Sequence, residues 1–449
     1  MTVQLSPSVL KPDVAKKRLV SLDILRGVGL LGILLITMPK FALPERYLEG
    51  ILQDPESINF KVAYFVNIVL EGKMRALFSM IFGAGILLFI ADKEKSGRSV
   101  TGVFYSRMAW LAFFGLIHAH VLLAGGDILY FYSLCGMFLF FFRHTKPLWL
   151  IGAALSILFF EMATDTYFHN HSRSQRMEYL EVKKVEDQGV PLTDSQLKAK
   201  TEWLEKEKGY FPTRAKIDQN TELMRSQYWT IAGALRKTLI LKQTRVAPFL
   251  MAEPMALMLL GMALFQWGFL SGQLQRKFYI WGLTIGYGIG FPLGLYLWNY
   301  SLRYPSPVEF MEANVFNIGT YLYPVQRILL TLGHVSLILL LVRAGVFKGL
   351  FKAIGAVGKM AFSNYILQTI ICTFIFFGYG LGYFGYVEYY QLYFIVVAIW
   401  TFQLILSSVW LRYFRFGPLE WVWRSLTYWK RQPMLLPRHN TTVLPQPGF

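Results

Sequence analysis

The sequence predicts an all-α protein, a polytopic bundle of about ten transmembrane helices. Of its 449 residues, 54% are hydrophobic and only 16% are charged, whereas about a quarter of the residues in a soluble globular domain are charged. The charged residues also lie in blocks, separated by apolar runs of about 20 residues, the length that crosses a bilayer core. These observations exclude a soluble globular protein, and the lipid bilayer is the first partner that they imply.

Ten apolar runs supply the predicted spans. Each has roughly the length of a membrane crossing and few charges in its interior. In chain order they lie near residues 22–38, 76–91, 108–124, 127–142, 147–164, 248–270, 277–299, 323–342, 360–379 and 389–411.

The loop charges orient these spans. Basic residues are concentrated in the N-terminus, in the loop 92–107 and after the fourth, sixth and eighth spans, whereas the loop 39–57 is net acidic and the loop 380–388 has no Lys or Arg. Because basic loops stay on the cytoplasmic side, both termini are expected to be cytoplasmic. The same distribution accounts for the net charge of +18 without nucleic acid as a partner.

The segment 58–74 is apolar but is interrupted by Lys61, Glu71 and Lys73. Two interpretations stay open: an interfacial helix on the outer face, or the start of one long tilted helix that runs to residue 91. An eleventh crossing here would invert the charge bias of every later loop, and we exclude it for that reason.

One long polar segment divides the membrane part of the chain. It is rich in Lys and Glu, and a loop of this length crosses the membrane largely regardless of its charge. We therefore expect an N-terminal membrane half with spans one to five and the candidate active site (1–166), an extracytoplasmic loop (167–247), a C-terminal membrane half with spans six to ten (248–412) and a basic cytoplasmic tail (413–449).

The third predicted span carries ionisable side chains at bilayer depth. Such a group costs at least about 2.5 kcal/mol there, so each is a functional candidate by default. Arg107 and His118 are close to three helical turns apart and share one face, while His120 points about 200° away from His118. Arginine forks bind phosphate, and a neutral imidazole is a general base near pH 7. The pair suits a ligand with a phosphate at the membrane surface and a reactive group that reaches inward.

Structural roles compete for the same residues. Arg107 also fits an ordinary cytoplasmic anchor, and both histidines fit polar contacts between helices, His120 more readily than His118. Asp127 directly follows two glycines and starts the fourth span. It fits a helix N-cap, or a carboxylate at the outer mouth that orients an acceptor hydroxyl.

Further basic residues flank the first and second spans. Asp23 and Arg26 can pair on one helix face, either as an interfacial pair or as part of a cytoplasmic phosphate clamp. We expect spans one to four to line one cavity that opens to the cytoplasm. The candidate donor-binding residues are Arg18, Arg26, Lys73, Arg75 and Arg107.

The C-terminal membrane half adds polar residues that are typical of hydrogen bonds between membrane helices. They are Glu253 beside Pro254, Arg327 and His334 on one helix face, and Ser363, Asn364 and Gln368 in the ninth span. Cys135 and Cys372 lie in apolar spans, and their spacing predicts neither a disulfide nor a metal site.

Several of these segments resemble those of one family. They are R-x3-LD-x-LRG-x4-GILL (18–35), LFSMIFGAG, GLIHAH followed by GDIL, GKMAFSNYILQ, GLGYFG and FGPLEWVWRSLTY (416–428). Together they resemble the YeiB-like family of bacterial inner-membrane proteins, a domain of unknown function, from about residue 18 to residue 430. Thr37 and Lys359 depart from the family pattern, which often has Asn and Arg at these positions.

That family is similar, more remotely, to the transmembrane acyltransferases, which move an acyl group from cytosolic acyl-CoA to an acceptor at the far face. Their sugar O-acyltransferases carry an Arg-x10-His signature, and Arg107 and His118 have that spacing. The resemblance implies acyl-CoA as co-substrate, no metal, a sugar or lipid-linked acceptor outside, and the bacterial cytoplasmic (inner) membrane as location. His118 and Asp127 become the candidate catalytic residues, and a homodimer stays open.

Two other functions compete with acyl transfer. The buried ionisable groups would also suit the proton relay of a transporter or exporter of a small solute. The long outer loop would suit a structural or signalling protein that binds a partner. Binding of acyl-CoA separates the first hypothesis from both of the others.

Overall fold

The fold is all-α, as the sequence predicts. A computed structural model describes residues 12–44, 47–95, 100–304 and 306–436. In chain order its helices are α1 (Pro12–Ala42), α2 (Tyr47–Ile51), α3 (Ile58–Val69), α4 (Lys73–Lys95), α5 (Val100–His120), α6 (Leu129–Leu139), α7 (Pro147–Asp187), α8 (Asp194–Tyr210), α9 (Arg214–Met224), α10 (Tyr228–Gln243), α11 (Ala247–Gln266), α12 (Arg276–Ser301), α13 (Pro307–Ala313), α14 (Ile318–Ala344), α15 (Lys348–Lys359), α16 (Ala361–Phe376), α17 (Leu392–Tyr413) and α18 (Pro418–Thr427).

Eight of the ten predicted spans are single stretches long and apolar enough to cross a membrane: α1, α3 with α4, α5, α7, α11, α12, α14 and α17. The predicted ninth span belongs to a broken pair, α15 and α16, bent by 85°. The predicted fourth span is α6 with one 3-10 turn, a shorter apolar helix over Leu129–Phe142. The chain is therefore a multi-pass helical membrane protein.

The segment 58–74 joins the second span. Ile58–Glu94 is long and apolar enough to be one membrane-spanning stretch of 37 residues. This agrees with the second interpretation, in which segment 58–74 starts a long helix. A short break separates α3 from α4, and Gly72 in it has a φ of +75°. A Cβ there would overlap the phenol oxygen of Tyr323. Glycine is required at this position for both its conformation and its close contact.

The long polar segment 167–247 is largely helical. α7 has 41 residues and continues without a break through the expected domain boundary at residue 166. Beyond the boundary, Arg176 of α7 pairs with Glu207 of α8 at 3.1 Å and with Glu312 of α13 at 2.5 Å. Helices of the polar segment are thus joined to the short helix that follows the α12 span.

One helix of the polar segment lies over the candidate site. The phenol of Tyr228, in α10, donates to the carbonyl of Val121 at 2.8 Å, and Lys242 donates to the carbonyl of Gly125 at 3.4 Å. Both acceptors belong to the loop between α5 and α6. α10 therefore covers that loop on the side of the polar segment.

The start of the expected C-terminal tail packs into the bundle. The carboxylate of Glu420, in α18, accepts hydrogen bonds from the amides of Phe362 and Ser363 at 2.7 and 3.0 Å, and another from the Ser363 hydroxyl. These are among the first amides of α16, so a side chain from α18 caps α16. Burial raises the pKa of the Glu420 carboxyl, and these hydrogen bonds oppose that shift.

Candidate functional site

His118 lies at the end of α5 and is almost completely buried, with 1% of its surface exposed. Its Nδ1 is 2.6 Å from a carboxylate oxygen of Asp127, and its Nε2 is 2.8 Å from the hydroxyl of Thr369 in α16. Both ring nitrogens therefore have partners, one from the loop before α6 and one from a helix 251 positions further along the chain. The imidazole is fixed in position and in orientation.

Asp127 combines two roles. Its Oδ1 accepts from the Leu129 amide at 3.2 Å as well as from His118, and its Oδ2 accepts from the Tyr130 amide at 2.9 Å. The N-cap position of α6 is Ile128 and not Asp127, but the Asp127 carboxylate accepts from the first two amides of the helix, as a capping side chain does. Its contact with His118 makes it the residue that orients the imidazole.

The hydrogen-bond network sets the tautomer of His118. An ionised carboxylate can only accept, so Nδ1 carries the proton that points to Asp127. Nε2 then has a lone pair, to which the Thr369 hydroxyl donates. A neutral imidazole that accepts a hydrogen bond at Nε2 is the form that acts as a general base.

Aromatic and hydroxyl side chains extend from His118 into the bundle. The ring of Tyr365, one turn before Thr369 on α16, lies 4.9 Å from the imidazole. Tyr365 is also close enough to Tyr132 of α6 for the two phenols to interact electrostatically. Tyr132 in turn shares a 2.5 Å hydrogen bond with the Ser79 hydroxyl of α4. Of these side chains, Tyr132 and Ser79 are the pair joined by a hydrogen bond, and Tyr365 packs its ring against His118.

Arg107 lies on α5 with its guanidinium against aromatic rings. It is 3.7 Å from the ring centre of Trp423, in α18, and 5.0 Å from that of Phe89, in α4. The indole of Trp423 also donates to the backbone carbonyl of Arg107 at 2.9 Å. Stacking on an indole places the flat guanidinium and restricts its rotation.

Other cations gather near Arg107. The charges of Arg424 and Arg26 act on it, and Lys93 lies over the ring of Phe89, which Arg107 also contacts. We call Arg26, Lys93, Arg107 and Arg424 the basic cluster. Arg26 pairs with Asp23 at 3.0 Å, as expected from their spacing. The side chain of Arg18 lies outside the described part of the chain.

Lys73 and Arg75, which were named with Arg107 as candidate binding residues, belong to a different group of charged side chains. Arg75 binds both carboxylate oxygens of Glu253 in α11, at 2.9 and 2.7 Å, and Arg327 of α14 lies 2.8 Å from the same carboxylate. Lys73 is buried and donates to the carbonyl of Asn67 at 2.9 Å. Arg75 precedes Phe89 by 14 residues on α4, which is about 21 Å along the helix. The positions of Lys73 and Arg75 near a loop in the sequence therefore do not show which side chains they contact in the bundle.

The two histidines of α5 have different surroundings, as their helical phase predicts. His120 is partly buried, and its Nε2 lies 2.8 Å from the side-chain oxygen of Gln243 at the end of α10. His118 contacts α16 and the start of α6 instead. The contact of His120 ties α5 to the polar segment, which is a structural role.

The polar residues of the ninth predicted span hold helices together. Asn364 donates to the Ser407 hydroxyl of α17 at 2.9 Å, and Gln368 donates to Gln403 of α17 at 3.0 Å. Ser363 contacts Glu420, as described above. Over the described residues, no group of three or more His, Cys, Asp or Glu is placed to hold a metal ion.

Thr369 and Tyr365 were not among the site residues predicted from the sequence. Both lie in or beside the run GKMAFSNYILQT, and their spacing of four residues puts them on one helix face. Their position on one helix face is the sequence feature that could have identified them as site residues. Trp423 and Arg424 could also have been noticed, because they belong to the most specific shared motif, FGPLEWVWRSLTY. That motif does not by itself indicate that they contact Arg107.

Known proteins resemble this chain over most of its length. It is 28% identical to the uncharacterized protein YxaH of Bacillus subtilis over 95% of this chain and 98% of that protein. It is 27% identical to the uncharacterized protein YeiB of Escherichia coli over 92% and 96%, respectively. Residues 264–430 match the family described as a protein of unknown function (DUF418). No solved structure matches. The resemblance to YeiB-like proteins predicted from the motifs is confirmed, and the part of the chain that matches DUF418 is residues 264–430.

Proposed function

We propose that this membrane protein transfers an acyl group from cytosolic acyl-CoA to an acceptor hydroxyl or amine at the far membrane face. The observation that carries the proposal is the buried His118, with Nδ1 2.6 Å from the Asp127 carboxylate and Nε2 2.8 Å from a hydroxyl. A histidine oriented by a carboxylate, with its other nitrogen on a hydroxyl, is an arrangement that deprotonates alcohols in acyl transfer.

In the proposed reaction the acceptor hydroxyl replaces the Thr369 hydroxyl at Nε2 of His118. As Nε2 takes its proton, the acceptor oxygen bonds to the thioester carbonyl carbon. The C–S bond then breaks, and the proton on Nε2 passes to the departing CoA thiolate. Asp127 stays ionised throughout and stabilises the imidazolium that forms in between.

The basic cluster is the proposed site for the phosphates of the donor. Arginine forks bind phosphate oxygens in pairs, and lysine adds a compact charge. Arg107 and His118 are 11 residues apart on α5, which is about 16 Å along the helix. An elongated donor with anionic phosphates at one end and a thioester at the other fits this separation.

The proposal places the protein in the bacterial cytoplasmic (inner) membrane with both termini inside. The alternation of basic and acidic loops supports that orientation, and the bacterial relatives support the location. Loop 121–128 and α10 then lie towards the outer face, where a sugar or lipid-linked acceptor would enter.

Acyl-CoA binding by the purified full-length protein tests the donor site. We expect acetyl-CoA or a longer acyl-CoA to raise the melting temperature in detergent. Arg107→Gln should weaken this binding by about 1.5–3 kcal/mol, the range for a lost charge-assisted hydrogen bond. Arg276→Gln, an exposed arginine at the start of α12 and outside the basic cluster, is the matched control and should bind as the wild type does. Absence of any acyl-CoA response would overturn the proposal.

Proton-coupled transport of a small solute is the second candidate function. The charged side chains of Arg75, Glu253 and Arg327 within spanning helices favour it, because such groups are common in proton and ion pathways. Proteoliposomes that contain a pH-sensitive dye would reveal proton entry coupled to an added solute. Proton coupling in a protein that does not respond to acyl-CoA would select this function over acyl transfer.

A further inference from the structure

A second group of charged residues lies between spanning helices, apart from the basic cluster. We call it the Arg75 cluster, and it consists of Lys73, Arg75, Glu161, Glu253 and Arg327. Glu253 is six residues inside α11, about 9 Å from the start of that helix. Charges at such a depth persist where they bind one another, line a polar cavity or hold a ligand.

The two arginines of this cluster share one carboxylate. Arg75 and Arg327 both bind Glu253, within 2.9 Å. The positive charge of Lys73 has other partners. Glu71 is the charged group that acts on it most strongly, and its ammonium donates to a backbone carbonyl. Over the described residues, Glu253 is the one carboxylate within ion-pair distance of these two guanidinium groups, and Glu161 acts on both without a direct ion pair.

Two buried polar atoms of the Arg75 cluster have no hydrogen-bond partner within the described residues. Arg327 is 2% exposed, and its buried Nε has no hydrogen-bond partner within the described residues. Glu161 of α7, which interacts electrostatically with both arginines, has a buried Oε2 that is also without a partner there. A buried polar atom without a partner is costly. The Nε–H group of Arg327 lacks an acceptor, and Oε2 of Glu161 lacks a donor.

The side chain of Arg75 remains accessible. It interacts with Tyr132 of α6, Glu253 of α11 and Tyr323 of α14, so helices surround it on several sides. Even so, 44% of its side chain is exposed. All its hydrogen bonds within the described chain come from Nη2. Nε and Nη1 are therefore donors that a small ligand can reach.

We propose that the Arg75 cluster binds a phosphate group within the membrane. Its oxygens accept from Nε and Nη1 of Arg75 and from Nε of Arg327, beside the negative charge of Glu253. Its remaining O–H group donates to Oε2 of Glu161. A singly protonated phosphate or phosphate monoester supplies all of these groups at once, whereas a sulfate or carboxylate anion has no proton to give Glu161. This site is independent of the proposed acyl transfer.

Binding of radiolabelled inorganic phosphate to the purified full-length protein, with unlabelled sulfate as competitor, tests the proposal. We expect sulfate to compete at least about tenfold less well than phosphate, because Glu161 rejects an anion without a proton. Glu161→Gln, which can donate from its amide, should narrow this preference. Equal competition by sulfate in the wild type would overturn the assignment of Glu161 and of a protonated phosphate.

Variants of the shared carboxylate separate a ligand site from a purely structural ion pair. Glu253→Gln removes the competing charge and should tighten phosphate binding at least about tenfold, a gain that misfolding cannot produce. Arg75→Gln should abolish binding. The matched control is Arg176→Gln, which removes an arginine with two carboxylate partners in the polar segment and should leave phosphate binding unchanged. No change in phosphate affinity for Glu253→Gln would overturn the proposal.

The source of the phosphate group is a separate arm of the same experiment. Nanodiscs with and without phosphatidic acid report on a lipid headgroup, and inorganic phosphate in detergent reports on a free anion. Lipid binding that Arg75→Gln abolishes, in the absence of inorganic phosphate binding, supports the site with a lipid as its ligand. Absence of binding in both arms refutes it.

Discussion

Three separate segments fix the imidazole of His118. α5 carries it, the loop before α6 supplies Asp127, and α16 supplies Thr369. The orientation of this residue is consequently a property of the folded bundle and not of α5 alone. At the scale of single residues, the useful experiments are those that change one partner while the other two stay in place.

His118→Gln should lower acyl transfer on the order of 10²–10⁴-fold while acyl-CoA binding stays near that of the wild type. Glutamine keeps a polar side chain of similar reach but cannot take the proton of the acceptor. Steady-state turnover and a parallel acyl-CoA titration check both halves of this expectation.

His120→Gln is the control for that variant. It affects the contact with Gln243, so it should lower the stability of the protein by about 1 kcal/mol and leave turnover largely intact. Thermal melting and the same turnover assay measure the two effects. Equal loss of turnover in both folded variants would contradict the helical-phase argument.

At the residue scale, only features that follow from regular helix geometry could be predicted from the sequence. The positions of Arg107, His118 and His120 on one regular helix predicted that the two histidines have different neighbours. The pairing of His118 with Asp127 depends on the conformation of the loop 121–128, and the contact with Thr369 depends on how α16 packs. Neither follows from periodicity.

At the scale of elements, α15 packs against α1 at Gly358, where a Cβ would overlap the backbone carbonyl of Asp23. Gly358→Ala should therefore destabilise the protein by roughly 1–3 kcal/mol, the usual cost of overpacking a close contact. Thermal or denaturant unfolding in detergent measures it. Gly349→Ala is the control on the same helix, since a Cβ there meets open space, and it should be neutral or slightly stabilising. Similar melting temperatures for the two variants would refute the close contact.

Length and apolarity were sufficient to predict where the spanning helices lie, because both reflect the thickness of the bilayer. They were not sufficient to predict their breaks. The 85° bend between α15 and α16 occurs where a basic amphipathic helix meets an apolar one, and α15 looked like a charged loop in the sequence. α6, with its 3-10 turn, is 14 residues long by its bounds, so about 21 Å, and hydropathy alone did not reveal that it is short.

At the scale of the whole molecule, the topology can be measured with single cysteines. Cys135 and Cys372 are both buried, so they should not react with a membrane-impermeant maleimide in the folded protein. Ser195→Cys, in the polar segment, should be labelled from outside intact cells. Thr101→Cys, at the exposed start of α5, should be labelled only after the cells are opened. The reverse pattern would place both termini outside.

The arrangement of the charged groups was the part of the molecule that the sequence predicted least well. Lys73 and Arg75 follow the loop-like break before α4, and they were assigned to the same candidate binding set as Arg107. In the structure Arg75 binds Glu253, 178 positions away, because α11 packs against α4. Loop charges indicate on which side of a membrane a segment lies, but the partners of a charge within a bundle depend on long-range packing.

The position of α18 at the end of the described chain bears on how the protein is synthesised. Trp423, which contacts Arg107, is made 316 positions after it, and Glu420 caps α16 from the same late segment. Every spanning helix has been translated before either contact can form. A chain that terminates before residue 418 would insert into the bilayer without its Arg107 contact and with the first amides of α16 uncapped. The packing of this end of the bundle is therefore completed only after α18 has been translated.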